Sequence, residues 1–147
     1  MNNLIIIVYF LAIMLNFSVV SAKEDEQDCT LRISVPASLN NLGREYQRLK
    51  HQQTEEWGSC DTYGSGLHEV LDIIVKQVAI GTDVSTVVDA LGKPDNIVTP
   101  EDVSKVPFPV AFDELLYMYH WRGTHDFIYF EIKNNKVVKS EWFIWYE

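Results

Sequence analysis

Residues 81–95 read Gly-Thr-Asp-Val-Ser-Thr-Val-Val-Asp-Ala-Leu-Gly-Lys-Pro-Asp, and the run constrains the backbone almost position by position. Thr82 can cap a helix N-terminus, and Asp83 complements the positive end of the helix dipole. Val84, Val87, Val88 and Leu91 recur at i, i+3, i+4 and i+7, which makes one apolar stripe about two turns long. Gly92 suits the left-handed position that closes a helix, and Pro94 prevents continuation. The run predicts a short amphipathic helix followed by an extended segment. It carries no catalytic pattern.

Two further helices are predicted upstream. Ser38 can cap the first, whose Leu39, Leu42, Tyr46 and Leu49 share a face, with Arg44, Glu45, Arg48 and Lys50 on the solvent side. Gly64-Ser65-Gly66 opens the second, in which Leu67, Val70, Leu71, Ile74 and Val78 follow the 3.6 period up to Gly81. Before them, residues 30–35 alternate loosely towards Pro36, as a short strand or an extended arm. After the third helix, Asn96-Ile97-Val98 is a short extended piece, and residues 99–109 form a proline-bearing surface loop.

The last third is β. Residues 115–121, 127–133 and 136–146 are rich in aromatic and branched side chains and are separated by Gly123-Thr124 and Asn134-Asn135, which predicts a three-stranded meander. Gly123-Thr124 fits a two-residue turn pairing Arg122 with His125 and His120 with Phe127. For the second hairpin a three-residue loop, 133–135, keeps Ile128, Phe130 and Ile132 on the face of Val138, Trp142 and Ile144; a two-residue loop scatters the apolar set.

Residues 3–20 contain no charged side chain and precede Val20-Ser21-Ala22 and the polar Lys23-Glu24-Asp25-Glu26. That pattern predicts a cleaved secretory signal over residues 1–22, although the apolar run approaches the length of an uncleaved membrane anchor. Residues 23–37 then form an acidic leader and extended arm, and 38–147 a single α+β domain. Secretion to the extracellular space, or to a bacterial periplasm, follows, with no membrane anchor after cleavage. A net charge of −9 argues against a nucleic-acid partner. Cys29 and Cys60 are the two cysteines, and in an oxidising compartment they read as one disulfide closing a loop of about 32 residues. No zinc-like spacing accompanies them, so no metal or cofactor is expected.

Two groups of residues can carry function. His120, His125 and Asp126 lie near the first turn and make a conceivable metal or acid/base set for a small hydrolase or ligand binder, but strand parity does not pair the two histidines. The aromatic set is larger than one face of a small sheet can bury. Exposed Trp and Tyr anchor protein interfaces or stack on sugar rings; Tyr129, Phe143, Trp145 and Trp121 are the expected binding residues, unless the first helix or a homodimer partner covers them.

The combination of Gly81, Thr82, Val84, Val88, Leu91, Gly92, Pro94 and Asp95 with an aromatic meander behind it resembles the SmpA/OmlA domain of the outer-membrane assembly factor BamE; similar modules occur in the beta-lactamase inhibitor protein. The resemblance spans about residues 67–146. It implies an ααβββ fold, two to three helices on one face of a three-stranded antiparallel sheet, and a role in binding a protein partner rather than in catalysis. The lipidated cysteine that follows the cleavage site in the bacterial factor is replaced here by Lys23, so a lipid anchor is not implied.

Overall fold

Ser65 starts the second helix: its Oγ accepts the backbone N–H of His68 at 3.4 Å and donates to the Cys60 carbonyl at 2.7 Å. The computed structural model describes residues 29–52, 60, 62–105 and 112–145. The predicted signal and acidic leader up to residue 28, residues 53–59 and residues 106–111 lie outside them. In chain order the elements are α1 (Leu39–Gln52), α2 (Gly66–Gln77), α3 (Val84–Leu91), β1 (Asn96–Val98), a 3₁₀ turn (Pro100–Lys105), β2 (Leu115–Arg122), β3 (Asp126–Lys133) and β4 (Lys136–Phe143). This is an α+β fold. No helix among the described residues is long and apolar enough to cross a membrane.

The helices follow their predicted stripes with two corrections. Asp83, not Thr82, occupies the N-cap of α3, and its carboxylate is drawn off to Lys136 at 2.8 Å rather than capping; the Thr82 hydroxyl donates to the Ala79 carbonyl. At the other end Gly92 takes a positive φ of 82° and closes the helix onto Val88. Glu45, placed on the solvent side of α1 by periodicity, is buried. It accepts the Arg32 backbone N–H at 2.8 Å and pairs with Arg48, while Arg48 also donates to the Thr30 carbonyl. The arm ahead of α1 is thus tied down by a charge pair instead of by strand pairing. The Cys29–Cys60 disulfide, with Cα atoms 5.1 Å apart, fixes its start. α1 also runs close against α3: a Cβ on Gly43 would sit 1.8 Å from the Ala90 carbonyl oxygen.

The sheet is antiparallel, in the order β1-β2-β3-β4, and so has one more strand than the predicted meander. The short extended piece at Asn96–Val98 is the addition, pairing with Leu116, Tyr117 and Met118. Both hairpins correct the predicted loops. In the first, His120 does face Phe127, but Trp121 is bulged and Arg122 pairs with Asp126, so the loop is Gly123-Thr124-His125. In the second, Asn134 and Asn135 both adopt positive φ, 52° and 61°, and Lys133 pairs directly with Lys136. That is the two-residue loop that parity disfavoured. A bulge at Val138 restores parity, so that Val137 rather than Val138 shares the inner face with Ile132.

Apolar residues pack on both faces. The main core joins Leu42, Tyr46, Leu67, Leu71, Ile74 and Leu91 of the helices to Tyr119, Trp121, Ile128 and Phe130 of the sheet. On the opposite face Leu116, Met118, Phe127 and Tyr129 form a second, smaller core with Val98 and Phe112.

Candidate functional site

The second core changes which of the expected binding residues reach the surface. Trp121 is fully buried, its ring edge-on to Tyr63 and Trp142 and its Nε1–H donated to the Cys60 carbonyl at 3.4 Å. Tyr129 is 2% exposed. Its hydroxyl donates to Glu141 at 2.8 Å and accepts from Lys139 at 3.1 Å, and burial raises its pKa. Neither ring is available to a partner. Phe143 is half-buried, stacked on Phe127 with centroids 5.1 Å apart. Trp145 is 46% exposed and meets Phe143 edge-on at 6.3 Å. The expected patch contracts to Phe143 and Trp145 at one corner of the outer face.

What holds Trp145 there is a buried carboxylate. Asp126 has no solvent exposure; one oxygen accepts Arg122 Nε and Nη2, each at 2.6 Å, and the other accepts the Trp145 backbone N–H at 2.9 Å. Arg122 in turn lies over the rings of Trp121 and Tyr63, at 5.2 and 5.8 Å. A buried charge needs such a set of donors to offset its desolvation. Asp126 is therefore fully engaged in fixing the hairpin end and the chain that follows β4.

The histidine set does not assemble. The His120 ring nitrogen Nε2 lies 3.3 Å from Asn96 Nδ2, its backbone N–H donates to Asp95 at 2.8 Å, and burial lowers its pKa. His125 instead sits in the turn, with Nδ1 buried, without a hydrogen-bond partner and 3.6 Å from the Asp126 carboxylate. Among the described residues no group of three His, Cys, Asp or Glu side chains converges as metal ligands would.

Two groupings were hidden from the sequence. Tyr63, His68, Trp121 and Trp142 form an aromatic cluster in which His68 stacks on Trp142 at 5.3 Å, and burial lowers the pKa of His68. Asp95, the last residue of the opening run, receives Lys50 from α1 as well as the His120 backbone. An Arg and an Asp flanking a Gly-Thr turn was the available signal for the Arg122–Asp126 pair; nothing local to residue 68 announced the cluster. No protein-family model, no curated protein and no solved structure matches this chain, so the site itself must carry the functional argument.

Proposed function

We propose that the chain is a secreted, non-catalytic protein-interaction module of BamE/SmpA-like character that engages an apolar surface on a partner protein through Phe143 and Trp145. The observation that carries this reading is Trp145: a tryptophan 46% exposed, next to a half-buried phenylalanine, and positioned by a hydrogen bond to a buried carboxylate. Tryptophan at a rigid, partly desolvated position is the side chain whose truncation most often abolishes an interface. The helix–meander order supports the family comparison, and the disulfide together with the apolar leader supports export.

Immobilised protein exposed to the secreted fraction of the source cells tests the reading. Trp145→Ala removes an exposed ring, so it leaves the fold intact and eliminates the captured partner. Phe143→Ala weakens capture too, with some loss of stability because it also removes the stack on Phe127. Undiminished capture by Trp145→Ala sinks the proposal, as does unfolding of that variant.

A further inference from the structure

β4 lies at the end of the strand order and exposes one of the two sheet edges. The other edge strand, β1, has three residues, whereas β4 has eight. Among the described residues, other segments cover only the beginning of the β4 edge. Gly81 N–H donates to the Val137 carbonyl at 2.7 Å, Val137 N–H to the Thr82 carbonyl at 2.8 Å, and Asp83 bridges to Lys136. From residue 138 to residue 142, by contrast, no backbone hydrogen bond or bridge outside the β3 ladder is formed with another described segment. A strand edge of that kind is a template for a further strand.

The residues along the open stretch are Val138, Lys139, Ser140, Glu141 and Trp142. Lys139 and Glu141 are on the outer face, 3.0 Å apart within the chain and 38% and 51% exposed. Trp142 packs towards the helices, and Ser140 Oγ donates to the Val75 carbonyl at 2.7 Å on that same side. A lone lysine on an edge strand ordinarily deters pairing. With a glutamate two residues on, the effect reverses for one alignment. When a second β4 is laid antiparallel about a two-fold axis at Ser140, each Lys139 faces the second copy's Glu141 on the outer face. Centring instead on residue 139 or on residue 141 sets Lys139 against Lys139 or Glu141 against Glu141. Opposite charges favour a cross-strand register and like charges oppose it, so the sequence selects one register among the close alternatives.

We propose that this edge is a self-recognition surface: two copies of the chain join through residues 139–141 of β4, in antiparallel register about Ser140, extending the two four-stranded sheets into one. The occupant is a second copy because the charge pattern is complementary to itself under a two-fold rotation, as a closed isologous interface requires. The covered start of β4 and the bulge at Val138 limit the pairing to three residues per copy, which makes the association weak and reversible. It does not depend on the Phe143–Trp145 reading.

Sedimentation velocity on the full disulfide-bonded chain, from about 10 to 500 µM at low salt, tests the proposal in the range expected of small interfaces. The wild type passes from monomer to dimer as concentration rises. Glu141→Lys opposes like charges at both symmetric positions and raises the dissociation constant about tenfold or more. Since Glu141 also binds the Tyr129 hydroxyl, the swap K139E/E141K is the deciding variant: it restores both opposite-charge pairs and recovers the dimer. A wild type that stays monomeric at the highest concentration overturns the proposal. So does a dimer indifferent to Glu141→Lys, or one that the double swap fails to recover. Loss of partner capture in Trp145→Ala without change in the monomer–dimer balance separates this surface from the Phe143–Trp145 corner.

Discussion

Asp126 is the residue on which the local geometry of the candidate site turns. Its charge has no solvent contact, and Arg122 supplies two of the three N–H groups that it accepts. Removing one partner of a buried pair leaves an uncompensated charge, so Arg122→Ala is expected to cost about 3 kcal/mol, towards the low end for such pairs because the arginine is itself partly exposed. Urea denaturation measures the loss, and a shift of tryptophan emission reports release of the chain around Trp145. If the variant is as stable as the wild type, the clamp described here is not holding the hairpin. Trp145→Ala, by comparison, is expected to change stability by less than about 1 kcal/mol, since the ring is nearly half in water.

Among the elements, the α1–α3 crossing at Gly43 leaves no room for a Cβ. Gly43→Ala forces a Cβ onto the Ala90 carbonyl, so the helices have to separate, at an expected cost of about 2–4 kcal/mol despite the better helix propensity of alanine. Thermal unfolding followed by circular dichroism checks it; an unchanged midpoint would show that the crossing relaxes freely. The helices themselves were legible because their stripes obey a single period: Leu42, Tyr46 and Leu49 in α1, and Leu67, Val70, Leu71 and Ile74 in α2, are all buried as their spacing requires. Sheet faces were harder, because a bulge adds one residue without leaving a composition signal. At Val138 the bulge preserved the apolar parity that a loop length was expected to supply, and at Trp121 it moved the Arg122 partner from His125 to Asp126. The exposed aromatic patch was only half legible for a related reason. Counting rings against one buried face leaves a surplus, but Val98 and Phe112 give Phe127 and Tyr129 a second core that no local pattern specifies.

For the molecule as a whole, the disulfide and the titrating side chains set the stability. Reducing Cys29–Cys60, or replacing both with serine, releases a long loop in the unfolded chain and is expected to cost about 3–4 kcal/mol. Denaturant midpoints with and without reductant measure it, and coincident curves would show that Glu45 and Arg48 hold the arm unaided. The pH dependence follows from four of the described groups whose folded pKa values are depressed. His68 and His120 resist protonation because they are buried, so the unfolded chain takes up protons first and stability falls as pH drops through the ordinary histidine range near about 6.5. Glu45, through its bond from Arg48, and Glu141, through its bond from Tyr129, contribute stability that is complete above the ordinary carboxylate range. That contribution is lost as pH falls below the range towards their folded values. A urea midpoint that declines from about pH 7.5 to 5.5 and again below about 4.5 is expected, with His120→Gln flattening the first decline; a midpoint constant between pH 7.5 and 5.5 would refute the histidine contribution. The hydrogen bond from Trp145 to Asp126 has a mechanical consequence as well. It buttons the segment after β4 to the tip of the opposite hairpin, so a pull applied beyond Trp145 loads this clasp before it loads the β3–β4 ladder.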